Sequence, residues 1–256
     1  MAPVHRVAVI QWHIKALAMD ENHQKACTYI REAASQGAHL AVLPEYHLNA
    51  FPPTNPLYLP QTSPQITTKY LQSYQTLAKE LNICIVPGTI VEDHSPTNES
   101  TSTDTQPKDP ILYNTAYFIS NDGSILSSYR KKNIWHPERP YLTSSGSDPH
   151  EVFDTPIGKV GLLICWDLAF PEAFRELIAA GAEVVVVPTF CMFPFSPPCL
   201  SLGLYLGLWG CFAVDVYWVG SYNIDRDSIR RLTCAPGEES RLREAVSRVR
   251  AYNSVF

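Results

Sequence analysis

Residues Val160-Gly161-Leu162-Leu163-Ile164-Cys165-Trp166-Asp167-Leu168-Ala169-Phe170-Pro171-Glu172 change character at a single bond. An apolar run ends at Cys165, and turn and helix-start residues follow at once, which reads as a buried strand, a sharp corner and a helix N-terminus. A thiol at such a corner lies near backbone N–H groups and the positive end of a helix dipole, which favour thiolate over thiol. Cys165 is therefore a candidate nucleophile. A lone cysteine closing a strand is more often a core residue, so the reading depends on what else the chain places at strand ends.

Two further segments supply that context. Leu40-Ala41-Val42-Leu43-Pro44-Glu45-Tyr46 is an apolar strand that delivers a carboxylate at its end. Burial behind Val42-Leu43-Pro44 makes an idle carboxylate expensive, which favours a functional Glu45 over a capping acid. Tyr129-Arg130-Lys131-Lys132-Asn133-Ile134-Trp135-His136-Pro137-Glu138-Arg139-Pro140-Tyr141-Leu142 places a cation directly after another strand. A glutamate, a lysine and a cysteine thus each stand at a strand end.

With Pro44-Glu45, Tyr129-Arg130-Lys131 and Ile164-Cys165-Trp166-Asp167 followed by Phe170-Pro171-Glu172 in this order, the chain resembles the nitrilase superfamily over residues 4–190. These are carbon–nitrogen hydrolases built around a Glu-Lys-Cys triad. The resemblance implies Cys165 as nucleophile, Glu45 as the base that activates it and later protonates the leaving amine, and Lys131 as the cation that stabilises the tetrahedral intermediate. It implies the backbone N–H of Trp166 as an oxyanion donor. Thiolate attack on an amide or nitrile carbon needs such a base, cation and acid. The family's lysine follows a Tyr-Arg-like pair, which selects Lys131, and strand alternation turns Lys132 the other way. Glu138 resembles the second glutamate that many members place near the triad, with a surface salt bridge to Arg139 as the alternative. Tyr46, Asn114, Trp135 and Phe190 are pocket-lining candidates by position.

The resemblance also bears on the substrate. Asp167 after Cys165-Trp166 is the residue of amidase-like branches, where nitrilases usually carry Glu. Ala169 departs from the arginine that many amidase-like members have before Phe-Pro-Glu. The expected substrate is a small linear amide or N-carbamoyl compound, cleaved at a non-peptide C–N bond through an acyl-enzyme, with a nitrile as the alternative.

The pattern of elements alternates: strand Val4–Gln11, a helix over 19–36 ended by Gly37, strand Leu40–Leu43, a Pro-rich loop, and a helix from Pro64 to Asn82. Strands 83–90, 111–119 and 125–129 follow, the last two joined by the tight-turn signal Asn121-Asp122-Gly123. Segments 152–154 and 159–164 flank the second hairpin signal, Thr155-Pro156-Ile157-Gly158, before a helix over 171–180 and a strand over 184–187. Hairpins mixed with crossover helices fit two sheets covered by helices. The family's fold is of this kind: an α/β four-layer αββα sandwich, here expected to be incomplete or altered at its C-terminal end. Residues 92–109 contain no apolar side chain and read as a mobile loop rather than a site.

The division expected is a carbon–nitrogen hydrolase domain over 1–190 and an atypical C-terminal segment over 191–256 that is no independent domain. Past Phe190, the family's Arg-rich helix with its Ala-x-Glu-Asn-like motif has no recognisable counterpart. Its place is taken by Pro194-Phe195-Ser196-Pro197-Pro198, an apolar stretch Cys199–Val214 and a charged tail from Asp225 to Arg250. The tail motivates a second reading, a weak or inactive family member that acts as an interaction protein or is a truncated product. Cys199–Val214 is 16 residues long with three glycines inside, short of the roughly 20 that span a bilayer. A membrane span is not expected.

Composition sets the remaining bounds. The net charge of −5 and pI near 5.9 give no basic surface, so nucleic acid is not an expected partner. Seven cysteines, an odd number without Cys-x-x-Cys spacing, read as reduced thiols rather than a disulfide frame or a zinc site. No metal or cofactor is expected. The N-terminus shows no secretory signal pattern, so the expected location is cytoplasmic. The family commonly assembles through the helix after the nucleophile, here Phe170–Ala180, which implies a homo-oligomer.

Overall fold

The computed structural model describes residues 5–96 and 109–190, together with the backbone of strands Val214–Trp218 and Ile229–Thr233. The first strand, β1 (Val7–Gln11), is followed by helix α1 (Met19–Ser35) and strand β2 (Leu40–Val42). In α1 the buried positions Met19, Asn22, Ala26, Tyr29, Ile30 and Ala33 recur at three- and four-residue spacing, which makes one apolar stripe. A 3-10 turn (Leu59–Thr62) leads to helix α2 (Pro64–Leu81), which opens with proline at its first position and ends at the left-handed Asn82.

Strands β3 (Cys84–Val86), β4 (Thr89–Asp93), β5 (Leu112–Ile119) and β6 (Ile125–Arg130) come next. Strands β7 (Val152–Thr155) and β8 (Gly158–Leu162), helix α3 (Pro171–Ala179) and β9 (Val184–Pro188) complete this part of the chain. Both expected hairpins are present: β5 pairs antiparallel with β6 and β7 with β8. Gly123 turns the first at φ 90° and Gly158 the second at φ 108°, where a side chain would be strained.

Two sheets result. The larger runs β1–β2–β3 in parallel and then antiparallel into β5, which also pairs with β4 and β6. The smaller holds β7, β8 and β9, with β8 and β9 parallel. Strand alternation sorts the side chains into layers. Val7, Val9, Leu40, Val42 and Phe118 join Val160, Leu162, Val184 and Val186 in one core between the sheets, while Leu177 of α3 packs over Gly161 on the other face of the smaller sheet. The opposite face, with Ala8, Ile10, Ala41, Leu43 and Ile85, packs against Ile30 of α1 and Tyr74 and Leu77 of α2. The order of layers is α1 and α2, larger sheet, smaller sheet, α3, which is the αββα sandwich.

Three expectations change. Glu92 and Asp93 belong to β4 rather than to a loop, since Glu92 pairs in register with Tyr113 and accepts the Tyr117 hydroxyl at 2.8 Å; residues 97–108 lie outside the described residues. The corner after Ile164 is a 3-10 turn (Cys165–Ala169), which sets Cys165 apart from the α-helix that starts, where expected, at Pro171. The C-terminal third, for which no strand was expected, contributes two. Strand β10 (Val214–Trp218) pairs antiparallel with β9, and β11 (Ile229–Thr233) pairs parallel with β1, so one strand is added at an edge of each sheet. Val-Asp-Val-Tyr-Trp alternates as a half-buried strand does, and the polar bias of the tail hid Ile229–Thr233. The rest of 191–256, including most of Cys199–Val214, lies outside the described residues. No helix among the described residues is long and apolar enough to cross a membrane.

Candidate active site

Three strand ends converge between the sheets. After β2, Leu43 N–H bonds Val86 O at 2.9 Å and Pro44 turns the chain, so that Glu45 enters the interior 1% exposed. Gly88 makes that path possible: at φ 59°, it lies so close that a Cβ there would meet the Pro44 carbonyl oxygen at 1.9 Å. After β6, Lys131 N–H bonds Asn114 O of β5 at 2.9 Å, and its side chain is fully buried. After β8, Cys165 takes φ 43°, a strained conformation for a side-chain-bearing residue.

The side chains form one hydrogen-bonded cluster. Lys131 Nζ donates to Glu45 Oε1 at 2.8 Å and to both oxygens of Glu138 at 2.9 and 2.8 Å. Glu45 Oε1 also accepts from Asn114 Nδ2 at 2.9 Å, and its other oxygen accepts the Phe190 N–H at 3.1 Å. The Cys165 thiol lies 4.0 Å from Phe190 O. Phe190, next to the end of β9, therefore touches both the carboxylate and the thiol with its main chain. Glu138 is buried, accepts the Tyr46 hydroxyl at 2.6 Å and the Trp135 N–H at 3.0 Å, and belongs to the cluster rather than to a surface pair with Arg139. Tyr46 stacks on Phe51 at 4.7 Å and meets Phe190 edge-on at 5.8 Å. Trp135 and Trp166 lie side by side, with ring centroids 6.5 Å apart.

Residues 6–201 match the sequence model of carbon-nitrogen hydrolases. The chain belongs to this family. Among its relatives, the omega-amidase NIT2 of Homo sapiens is 32% identical over 190 residues, 72% of this chain. A nitrilase of Pyrococcus abyssi is 31% identical over 77% of this chain and 69% of its own length. The chain spans 62% of the length of the omega-amidase. An amidase from Nesterenkonia sp. superposes with a TM-score of 0.59 at 25% identity, over 72% of this chain and 64% of the amidase. A carbon-nitrogen hydrolase from Helicobacter pylori G27 shares the fold, with a TM-score of 0.62 over 79% of this chain and 66% of its own at 22% identity.

Charge explains the protonation pattern of this family member. Two carboxylates and one ammonium in a dry interior carry an excess negative charge, which burial penalises. Burial raises Glu45 to about 7, with Lys131 pulling it down and Glu138 pushing it up. For Lys131, burial opposes the charge, but Glu45, Cys165 and Glu138 outweigh it and hold the ammonium above the ordinary lysine range. Cys165 departs from the expectation of a ready thiolate. Burial and the neighbouring Glu45 push its thiol well above the usual value, against the pull of Lys131. Desolvation and Glu45 thus favour a thiol beside a base over a ready thiolate.

Asp167 and Tyr129 are parts of the site that their motifs did not reveal. Asp167, fully buried, accepts Ile164 N–H at 2.9 Å, Tyr129 Oη–H at 2.9 Å, and the Asn133 N–H and Nδ2 at 3.0 and 2.8 Å. It ties the strained corner to the loop that carries Lys131. Lys132 faces away from the cluster and lines a cavity of about 430 Å³ with Asn133, Arg139 and Phe170. No group of side chains suited to a metal ion occurs among the described residues.

Proposed function

We propose that this chain is an amidase-type hydrolase of small linear amides or N-carbamoyl compounds, with Cys165 as nucleophile, Glu45 as general base and acid, and Lys131 as electrostatic stabiliser. The observation that carries the reading is buried Lys131 bonded to buried Glu45, whose other oxygen takes the N–H of the same Phe190 whose carbonyl lies 4.0 Å from the Cys165 thiol. Attack transfers the thiol proton to Glu45 as the S–C bond forms. The carbonyl oxygen, now an anion, faces Lys131 and the N–H of Trp166, which stands ahead of the first internal bond of the turn, Asp167 N–H to Ile164 O. Collapse breaks the C–N bond, and Glu45 returns its proton to the departing amine. Water, deprotonated by Glu45, then hydrolyses the thioester. Glu138 fixes Lys131, Asn114 fixes Glu45, and Tyr46, Trp135 and Phe190 border the substrate.

Asp167 rather than Glu after Trp166 supports an amide over a nitrile. The test is mass spectrometry of the intact protein after exposure to small amides, N-carbamoyl compounds and nitriles. An acyl adduct on Cys165 with amides is the expected result. Absence of any adduct or turnover across the panel would favour the inactive reading.

The pH profile follows from Glu45. It serves as base only when ionised, and its raised value keeps it protonated below about 7. Log kcat/KM should rise with a slope near 1 up to about pH 7 and then level, with the midpoint set by Glu45. Lys131, held above its usual range, gives no alkaline loss near neutrality. Activity that is flat from about pH 5 to 8 would remove Glu45 from the role.

A further inference from the structure

We infer that His150 is a positioning residue for the nucleophile corner, acting through Tyr129 and Asp167 and anchored by Glu176 on α3; the inference rests on the amidase reading of Cys165. The imidazole lies in the loop before β7, and its side chain is 3% exposed although Glu176 beside it is 55% exposed. Its Nδ1 meets Glu176 Oε2 at 2.5 Å, and its Nε2 lies 3.4 Å from Tyr129 Oη. The two rings stack, with centroids 5.7 Å apart and 26° between planes. A continuous path therefore runs from Glu176 on the surface through His150, Tyr129 and Asp167 to the N–H of Ile164, the residue before the nucleophile.

Donor counting gives the path a direction. Tyr129 has one hydroxyl proton, and it goes to Asp167, which as a carboxylate can only accept. The Tyr129 oxygen is left to accept the Lys132 N–H at 3.3 Å, with His150 Nε2 3.4 Å away. His150 Nδ1–H then donates to Glu176, on which the Lys132 side chain also acts. With the imidazole stacked on its ring and anchored by Glu176, the Tyr129 side chain is held where its proton reaches Asp167. Asp167 in turn holds Ile164 and Asn133, and so fixes both the corner at Cys165 and the loop after Lys131. Loosening this path lets the thiol and the ammonium drift relative to each other, and catalysis is steep in such distances.

Two readouts separate this role from packing. One is kcat and KM on whichever amide the parent chain turns over; the other is the rate at which iodoacetamide alkylates Cys165, followed by peptide mass mapping, which needs no substrate. A parent chain without turnover would sink the amidase reading, while the alkylation series would still decide this one. His150→Phe keeps the ring stack and removes both nitrogens. It should lower kcat and slow Cys165 alkylation by about 10-fold, with KM within about 2-fold, against the ~100-fold that a 1 Å misplacement costs. His150→Gln keeps a donor near Tyr129 and should recover most of the loss. Glu176→Gln, at the surface, should lower both rates by about 3-fold, a fraction of that effect. Parent-like rates in His150→Phe would overturn the inference, as would equal losses in Phe and Gln variants that track a fall in thermal midpoint. Should His150→Phe fail to fold, parent-like rates in Glu176→Gln would overturn it.

Discussion

Cys165→Ala should abolish turnover, by at least about 10⁴-fold, and leave the fold intact. The substitution removes one sulfur at a partly buried position, and the tie from Asp167 to Ile164 that holds the corner uses no atom of residue 165. Cys84→Ala provides the contrast. That thiol is buried in the core between the sheets, where burial raises it to about 11. Its loss should cost about 1 kcal/mol of stability and leave kcat within about 3-fold. Steady-state kinetics beside thermal unfolding checks both; comparable activity losses in the two variants would mean that packing explains them.

Lys131→Met should remove activity and also destabilise the chain by about 3–5 kcal/mol near pH 8, because it leaves two carboxylates in the interior without their cation. The sign with pH is definite. Glu45 is already raised in the folded state, and without Lys131 it rises further, so the folded variant binds a proton that the unfolded chain has released. Its stability therefore falls as pH rises through the ordinary carboxylate range, and the deficit against the parent chain should shrink in acid. Denaturant titrations at about pH 5 and 8 read this difference directly. Lys132→Met, whose side chain faces the other cavity, should behave as the parent does. A deficit that is the same at both pH values would show that Lys131 contributes by packing alone.

The legible part of this protein is local. Periodic apolar runs located α1, α2, β1, β2 and β5 to β9 within a few residues, whereas the single strand expected over 83–90 is split by Gly88 at φ 59° into β3 and the start of β4; Asn121-Asp122-Gly123 marked its hairpin because only a few residues accept positive φ in a tight turn. The resemblance pointed to Glu45, Lys131 and Glu138, and position alone to Asn114; the structure brings the four into hydrogen-bond contact. What escaped depends on tertiary context. The thiol was expected to be acidic because a helix start was expected behind it; a 3-10 turn stands there instead, and desolvation with the neighbouring Glu45 reverses the direction. Asp167 read as a marker of substrate class, and its four donors come from three residues, two of them, Tyr129 and Asn133, more than thirty positions away. Strands β10 and β11 were missed because their partners, β9 and β1, lie far back in the sequence, so their pairing is invisible in any local window.

Phe190 has a consequence for engineering. Its N–H and carbonyl contact Glu45 and Cys165 through main-chain atoms, so the contacts depend on the path of the chain and not on which side chain stands there. A chimera that replaces the C-terminal third with that of a longer relative should accordingly be joined beyond residue 190, with the backbone through Val187-Pro188-Thr189-Phe190 inherited from this protein. A junction placed earlier would exchange the cover and disturb the reacting groups in one step, and the two effects could no longer be told apart.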